Sequence, residues 1–444
     1  MFNQEKIDSI AEREATIECF NIVLTQNASS SPLVFSGPGC LFFDENKNLK
    51  VKIYSAATKS GSAEMMNFFW NNPVGIIPDD RYFTLEAEDT SGKTWKNTFV
   101  LAERGVNTYP SGAVLELALN NARSLSQLRD SPVGGSALIK VNGKYRMPFN
   151  EYVDNGKGAK ELAKLTLSQG AKTIEIVQAS NRLDITIVDS KDPVELDSLF
   201  YLLEGISIAI GQLLEASFIV ARNGTAYEAY IQGKSTESTY TLAEPVVEIF
   251  LGRDAGLDKF LNMYMKARPK GLNHLANYWS RLKDISKANT EAAALVLCVN
   301  IEGMVKNYFS SSASLDEETL KEISDTRAFI KASRASIPKV GADAILRFLG
   351  GLKTKTVAAI LSDISESGAV EKAHVQSWKD LRHTLAHADN AVISTDNFGK
   401  FVSDLQNCLA LFSKLIELCV TQLSNDSVST TLALESLEGD GDAQ

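Results

Sequence analysis

The hydrophobic pattern of this sequence changes its period near residue 242, and that change limits the folds the chain can adopt. Before it, short runs rich in β-branched and aromatic residues alternate with turn-forming residues, as at 17–24 and 49–54. Such runs indicate antiparallel strands. After it, apolar residues recur every three or four positions, which indicates amphipathic helices. The sequence therefore predicts an α+β protein with an amino-terminal antiparallel β-rich region and a carboxy-terminal all-α bundle.

Local turn chemistry refines the β-rich half. The SGPG sequence at 36–39 predicts a turn, and the pairs Asn142-Gly143 and Asn223-Gly224 predict hairpins. Between 131 and 242, strand-like and helix-like segments alternate, which we interpret as an α/β middle region. Its longest helical pattern covers residues 193–219.

Four long helices are predicted in the carboxy-terminal half, at 290–309, 315–332, 342–366 and 396–423, with Ser314 as the N-cap of the second and a kink near Gly350 in the third. These patterns give the expected domains: a sandwich-like β domain at 1–130, an α+β middle domain at 131–242, a basic helical connector at 243–285, a four-helix bundle at 286–425 and an acidic disordered tail at 426–444.

Composition excludes several classes of protein. The net charge of −10 over 444 residues argues against coating nucleic acid by bulk charge. Five scattered cysteines without a C-x-x-C pair disfavour a disulfide framework or a cysteine zinc site. With four histidines and no H-E-x-x-H motif, a metal enzyme is also disfavoured, and the absence of G-x-G-x-x-G and Walker loops disfavours a nucleotide-binding domain. We expect no cofactor. The charged start and the lack of a long apolar run predict a cytoplasmic protein with no membrane partner.

The stretch QSWKDLRHTLAHADN at 376–390 concentrates the residues with the most useful chemistry. It contains Arg382, His383 and His387 in the arrangement R-H-x-x-x-H. A phosphodiester needs such a pair of groups, because a guanidinium binds its oxygens and an imidazole moves a proton near neutral pH. If the stretch is helical, one face carries its apolar residues, Trp378, Leu381 and Leu385.

A late helical bundle that carries R-x(4–6)-H, with a polar residue directly after the arginine, resembles a HEPN domain. The carriers are Arg382, His383 and His387, and the segment NIEGMVKNYF at 300–309 is similar in style to a first bundle helix. A β-rich half before such a bundle looks most like the ApeA-like anti-phage HEPN proteins. The resemblance implies an endoribonuclease that needs no metal and acts as a toxin-like effector in anti-phage defence, by abortive infection. It also implies a homodimer through the helical bundle and a phage-derived trigger.

The resemblance gives each motif residue a role. His387 would be the general base or acid, Arg382 would bind the phosphate, and His383 would assist as a hydrogen-bond donor or second proton-transfer group. RNA supplies its own nucleophile, the 2′-hydroxyl, and cleavage would leave a 2′,3′-cyclic phosphate. Glu302 could orient one of these groups, or could form an ordinary ion pair on a helix face.

Two basic stretches are candidates for contacts with RNA, for example tRNA. The first runs from Lys331 to Lys355, is opposed only by Asp343, and supplies the predicted RNA-binding residues Arg347, Lys353 and Lys355. The second covers 253–283, where Tyr264, Tyr278 and Trp279 could stack on bases. Alternatively, this second stretch is an amphipathic face packed against the rest of the protein.

Three other interpretations stay open on sequence alone. The bundle could be a catalytically inactive HEPN-like module for dimerisation or partner binding, because a fold does not fix a function. Arg382 could pair with Asp380 or Asp389 as a surface ion pair. The aromatic cluster at 68–70 could bind a carbohydrate or lipid, or could plug the β core.

Overall fold

In the computed structural model, the described residues are 3–27, 29–56, 68, 76–101, 106–109, 112–126, 134–154, 160–234, 243–247, 256–285, 289–309, 315, 317–351, 354–386 and 398–425. The chain divides into two compact units. The β unit comprises Met1–Ser207, Leu214–Thr239 and Val247–Leu261, and the helical unit comprises Ile208–Leu213, Tyr240–Val246 and Asn262–Gln444. The five-part division predicted from the sequence stays a prediction, and residues 426–444 lie outside the described part.

The β unit is built on one sheet of 15 described strands, in the order β10-β11-β12-β13-β9-β14-β15-β8-β5-β4-β1-β2-β3-β7-β6. Every strand pair among them is antiparallel. The coarse prediction of an α+β protein with an antiparallel amino-terminal sheet is therefore confirmed. The described elements up to the last strand are α1 (Gln4–Ala11), β1 (Thr16–Gln26), β2 (Val34–Phe43), β3 (Leu49–Ala56), a 3-10 turn (Asp79–Arg81), β4 (Tyr82–Asp89), β5 (Thr94–Leu101), β6 (Val106–Tyr109), β7 (Gly112–Ala118), β8 (Asn121–Leu125), β9 (Gly135–Asn142), β10 (Glu151–Asp154), β11 (Lys160–Gln169), β12 (Lys172–Ala179), β13 (Arg182–Asp189), α2 (Leu196–Ile210), β14 (Ala216–Asn223) and β15 (Ala226–Gln232).

Alternating burial explains why these segments form strands. In β4 every second side chain is buried, and Phe83 and Leu85 are fully buried, as expected for a strand with one face on a core. The turn that joins β4 to β5 is organised by Asp89, whose carboxylate accepts hydrogen bonds from the backbone N–H groups of Ser91 and Lys93 and from Nε1 of Trp95. Trp95 is fully buried, so this polar turn is fixed to the core.

The turn predicted at SGPG is wrong, because residues 36–39 lie inside β2. A Cβ on Gly37 would lie 2.1 Å from the backbone oxygen of Tyr54, and one on Gly39 would lie 2.0 Å from that of Lys52. The glycines are needed for the close approach of β3 and not for a reversal of the chain. Pro38 lies opposite an irregularity of β1 between Cys19 and Ile22, where a missing N–H is tolerated.

The middle region differs from its prediction in two places. Asn142-Gly143 does not close a hairpin, because β9 pairs with β13 and β14 and the residues after Gly143 form no strand. The long helix predicted at 193–219 is the shorter α2, which is followed by Gly211 at a φ of 69° and then by β14. The hairpin at Asn223-Gly224 is confirmed by the pairing of β14 with β15. The strands of this region belong to the same sheet as the preceding ones.

Arg13, in the loop between α1 and β1, joins distant parts of the β unit. Its backbone adopts a φ of 59°, and its side chain is only 4% exposed. Nη1 donates to the backbone oxygens of Lys47, Gln232 and Gly233, and Nη2 donates to that of Lys234 at 2.6 Å. Burial lowers the pKa of this guanidinium to about 10, so it stays charged at neutral pH.

The remaining described helices belong to the helical unit, except that residues 257–261 of the first one belong to the β unit. They are α3 (Leu257–Ala267), a 3-10 turn (Arg268–Lys270), α4 (Asn273–Ile285), α5 (Thr290–Tyr308), α6 (Glu317–Ala332), a 3-10 turn (Arg334–Ser336), α7 (Lys339–Gly351), α8 (Val357–Glu366), α9 (Lys372–Ala386) and α10 (Phe398–Asn425). The predicted helix 342–366 is two helices, because α7 ends at Gly351 and residues 354–356, directly before α8, are not helical. The adjacent glycines 350 and 351 favour the end of α7, since glycine destabilises a helix. The predicted N-cap Ser314 lies outside the described residues. No described helix is long and apolar enough to cross a membrane.

Candidate functional site

The motif helix α9 is held in the helical unit by its apolar face. Val375, Trp378 and Leu381 are at most 4% exposed, and Leu385 is half-buried. The predicted apolar face of Trp378, Leu381 and Leu385 is therefore confirmed. Nε1 of Trp378 donates to the backbone oxygen of Cys298 in α5 at 3.4 Å, which satisfies the polar atom of this buried ring.

Polar contacts fix α9 against α10 on another side. Ser377 donates its hydroxyl to Asp404 Oδ1 at 2.8 Å and accepts from Nδ2 of Asn407 at 3.0 Å. Ser377 is 5% exposed, so these bonds lie in the interface between the two helices. Together with the apolar face, they set the rotation of α9 and hence the direction of its exposed residues.

Arg382 lies on the exposed side of α9 and is oriented by two neighbours. Its Nε donates to Oε1 of Glu302 in α5, and its guanidinium carbon lies 5.9 Å from the centre of the Trp378 ring. The Arg382 side chain is 55% exposed and that of Glu302 21%. Lys306 Nζ is 4.0 Å from the other carboxylate oxygen of Glu302. Because the contact with Glu302 uses Nε, the two Nη groups are the part of the fork that could bind an anion.

His383 lies beside a second cluster of charges. Hydrogen bonds from Lys400 and Gln376, with the attraction of His383, hold the pKa of the Asp380 carboxyl below its usual value. Lys400 Nζ lies 2.9 Å from Asp380 and 2.8 Å from Asp404, and these hydrogen bonds raise the pKa of Lys400. Asp380 is therefore ionised at neutral pH, and it forms an ion pair with Lys400 of α10.

The structure separates the surroundings of Arg382 and His383, although they are adjacent in sequence. Successive residues of an α-helix point about 100° apart, so Arg382 contacts α5 while His383 lies on the side of Asp380. Two ion pairs were considered for Arg382. The Asp380 carboxylate instead has Lys400 and Gln376 as its hydrogen-bond donors, and Asp389 lies outside the described residues. His387 also lies outside the described residues.

The predicted RNA-binding residues have different surroundings. Arg347 is exposed on α7. Lys355, between α7 and α8, is half-buried and donates to Asp363 Oδ2 at 2.7 Å, so an intramolecular carboxylate already balances its charge. Lys353 lies outside the described residues.

The hypothesis of base stacking along 253–283 is wrong for its three aromatic residues. Tyr264 is fully buried, Trp279 is 3% exposed and Tyr278 is 8% exposed, so none offers a ring face to a base. The amphipathic alternative accounts for them, because their burial is that of a helix face packed in a core. Phe68 of the other aromatic cluster also packs against a core, that of the β unit, while residues 69 and 70 lie outside the described part.

Two findings concern possible metal ligands and thiols in the part of the chain that the structure describes. No group of three or more His, Cys, Asp or Glu side chains there could hold a metal ion. Cys298 and Cys408 are buried in the helical unit, and a hydrogen bond with Cys298 together with burial raises the pKa of Cys408. A thiol in this state is not a nucleophile near neutral pH.

Sequence reasoning missed Lys400 and Asp404, which connect Asp380 to α10. Nothing in a single sequence relates residues on different helices, so no pattern could have identified them. Glu302 was considered, and the structure gives it Arg382 as a partner 80 positions away. Comparisons with known protein families, with curated proteins and with solved structures find no match to this chain.

Proposed function

We propose that this chain is an endoribonuclease of the HEPN type that needs no metal or other cofactor. The main support for this proposal is the geometry of Arg382 on the anchored helix α9. Glu302 and Trp378 orient its guanidinium, while its Nη groups stay accessible. A fixed and exposed guanidinium suits a phosphodiester, which it can bind through two parallel hydrogen bonds.

The proposed reaction uses the nucleophile of the substrate. His387 accepts the proton of the RNA 2′-hydroxyl, whose oxygen forms a bond to phosphorus as the bond to the 5′-oxygen breaks. His383, on the adjacent side of α9, is the acid that protonates the leaving 5′-oxygen. Arg382 stabilises the negative charge that grows on the phosphoryl oxygens. The products are a 2′,3′-cyclic phosphate and a 5′-hydroxyl.

A homodimer through the helical bundle fits this proposal, because Arg382 is on an open surface and a second copy would supply the opposite wall of a cleft. Exposed Arg347, with Lys353, would extend the contact along structured RNA such as tRNA, and Lys355 would join them by exchanging Asp363 for a phosphate. In the cell, the proposed role is that of a toxin-like effector in anti-phage defence, released by a phage-derived trigger.

Cleavage of RNA by the purified chain in the presence of a metal chelator tests the proposal. Arg382→Ala and His387→Ala should each reduce the rate at least about 100-fold, the usual effect of losing a charge-stabilising or proton-transfer group. Two controls match them: Lys306→Ala removes a cation next to Glu302, and His274→Ala removes an exposed histidine of α4. Equal rates for all four variants, or products that lack a cyclic phosphate, would refute the proposed chemistry.

The second candidate is a HEPN-like module that cleaves nothing and serves dimerisation or partner binding. The observation that favours it is the contact of Arg382 with Glu302, since a carboxylate from the same chain already neutralises the guanidinium. Glu302→Gln distinguishes the two functions. In a ribonuclease it removes a negative charge from the phosphate site and strengthens RNA binding, whereas in a scaffold it leaves RNA binding unchanged.

A further inference from the structure

Helices α6 and α7 form a hairpin that exposes more apolar surface than a helical pair in water normally does. No residue of α6 is buried, and Ala342 is the buried apolar residue of α7. Phe329 and Phe348 are each 67% exposed and Val340 is 83% exposed. Two helices of 16 and 13 residues gain little stability by themselves, so an exposed patch of this kind marks a surface that binds something.

The register of the hairpin brings the two phenylalanines to the same level. Arg334 pairs with Asp343 at 2.6 Å, and the guanidinium of Arg327 lies beside Gly350. In an antiparallel hairpin, residues at the same level have numbers with a constant sum, which is 677 for both of these pairs. Phe329 and Phe348 have the same sum. Each ring therefore offers exposed apolar surface at the same level along the hairpin.

The same hairpin is basic in its second part. From Arg327 to Gly351 there are five cations and one carboxylate, Asp343. The cations are Arg327, Lys331, Arg334, Lys339 and Arg347. A suitable occupant of this surface therefore combines apolar side chains with negative charge.

Residues 426–444 of the same chain have that composition. They carry five carboxylates and no lysine or arginine, interspersed with Val428, Leu432, Leu434 and Leu437. The carboxylates are Asp426, Glu435, Glu438, Asp440 and Asp442. The net charge of −5 on residues 426–444 is thus opposite in sign to the net +4 of residues 327–351. The start of α6, with Glu317, Glu318, Glu322 and Asp325, is acidic and lies outside this basic part.

The segment also starts close to where the hairpin leaves the bundle. Lys270 Nζ donates to the backbone oxygen of Leu423 near the end of α10, and Gly271 accepts from the Tyr308 hydroxyl at the end of α5. From Phe309 to Glu317 the chain spans at most roughly 29 Å, and Phe329 lies about 18 Å further along α6. The 19 residues after Asn425 can span roughly 60 Å, which is enough to reach it.

We propose that residues 426–444 dock on the α6–α7 hairpin of their own chain, with leucines on Phe329 and Phe348 and carboxylates near the basic residues. The consequence for activity rests on the proposed function: a docked acidic segment competes with the RNA backbone for Arg347 and restrains cleavage. The docking itself does not depend on any ribonuclease activity.

Hydrogen exchange of the full chain, compared with a chain that ends at Asn425, tests the docking without RNA. An effective concentration on the order of 1 mM and an intrinsic dissociation constant on the order of 0.1 mM predict exchange about 10-fold slower in α6 and α7 of the full chain. The protection should weaken in about 1 M salt, where charges are screened within about 3 Å. It should also fall in the full-length variant Glu435→Gln, Glu438→Gln, Asp440→Asn, Asp442→Asn.

Two controls make the test specific. Exchange in β9 should be the same in all chains, and Phe348→Ala should reduce the protection whereas Phe20→Ala, at a residue of β1 that is 68% exposed, should not. Equal exchange of the hairpin with and without residues 426–444 would overturn the proposal. Protection that rises with protein concentration and persists in the shortened chain would also overturn it, because the occupant would then be a second copy.

RNA cleavage by the same two chains separates this proposal from the proposed function. Faster cleavage by the shortened chain supports both. Hairpin protection without cleavage by either chain refutes the ribonuclease and leaves the docking supported. If the full and the shortened chain cleave RNA at equal rates, residues 426–444 do not restrain cleavage, and that part of the proposal is refuted.

Discussion

Replacing Gly303 by alanine should destabilise the helical unit, although alanine is the better helix former. Gly303 lies in α5 against the side chain of Tyr278 in α4. An added Cβ would lie 2.3 Å from the hydroxyl oxygen of Tyr278, 2.6 Å from Cζ and 2.8 Å from Cε1. The Tyr278 ring is 8% exposed, and its hydroxyl accepts a hydrogen bond from Nδ2 of Asn307 at 2.7 Å. The ring therefore cannot move aside without losing packing and this bond.

The opposing contributions can be compared. Alanine in place of glycine inside a helix gains about 1 kcal/mol. Forcing a methyl group into a packed site costs about 1–3 kcal/mol, and loss of the Asn307 bond costs about another 1 kcal/mol. The balance is a loss of about 1–3 kcal/mol in the free energy of unfolding. With a urea m-value near 2 kcal/mol/M, the midpoint should fall by roughly 1 M.

Urea unfolding followed by helical circular dichroism measures this change, and Gly341→Ala is the matched control. Gly341 lies in α7, and an added Cβ would have the Ile337 Cγ2 atom as its nearest neighbour at 3.9 Å, an ordinary contact. That variant should be as stable as the wild type or more stable. If Gly303→Ala is as stable as Gly341→Ala, the steric argument is refuted and the Tyr278 ring must have room to move.

Two further changes probe the anchoring of the motif helix and the acid sensitivity of the β unit. Trp378→Ala should cost about 3–5 kcal/mol in urea unfolding, and Trp378→Phe clearly less, because the ring is 2% exposed. A smaller effect of alanine than of phenylalanine would contradict that packing. Asp89→Asn should destabilise at neutral pH, and its difference from the wild type should shrink as the pH falls below about 4. Burial alone would raise the pKa of Asp89, but hydrogen bonds from Ser91, Lys93 and Trp95 outweigh it and lower the pKa. Stability from such a lowered pKa is present above the unfolded value and is lost as the pH falls through the folded value. If the difference in free energy of unfolding between the wild type and Asp89→Asn stays constant from pH 7 to pH 3, the role assigned to the Asp89 carboxylate is contradicted.

The parts of the fold that sequence could predict are those that depend on neighbours along the chain. The apolar face of α9 follows from the spacing of Trp378 and Leu381, and the β14–β15 hairpin follows from Asn223-Gly224. The SGPG prediction failed because a glycine required by an approaching strand looks the same in sequence as a glycine required by a turn. Asn142-Gly143 failed for a related reason, since the partners of β9 are distant strands.

In the candidate site, too, the sequence did not predict contacts between residues that are distant along the chain. The motif identified Arg382 and His383, but the contact of Arg382 with Glu302 and the link from Asp380 to Lys400 join different helices. Such contacts depend on how helices rotate against each other, and one sequence does not specify that rotation. The surface of α6 and α7 was predicted as a basic run, whereas its exposed phenylalanines became apparent only when burial was known.

The Arg13 contacts have a consequence for the synthesis of this protein. The guanidinium binds backbone oxygens that lie 219 to 221 positions later in the chain. At about 5–20 residues per second, a ribosome makes those acceptors roughly 10–45 s after Arg13. The core shared by β1 and β15 also cannot close earlier, because it includes Ile231. Among the amino-terminal strands, the edge of β8 must therefore wait for β15. A chaperone that binds this open edge should associate with the nascent chain until about residue 234 has left the ribosome.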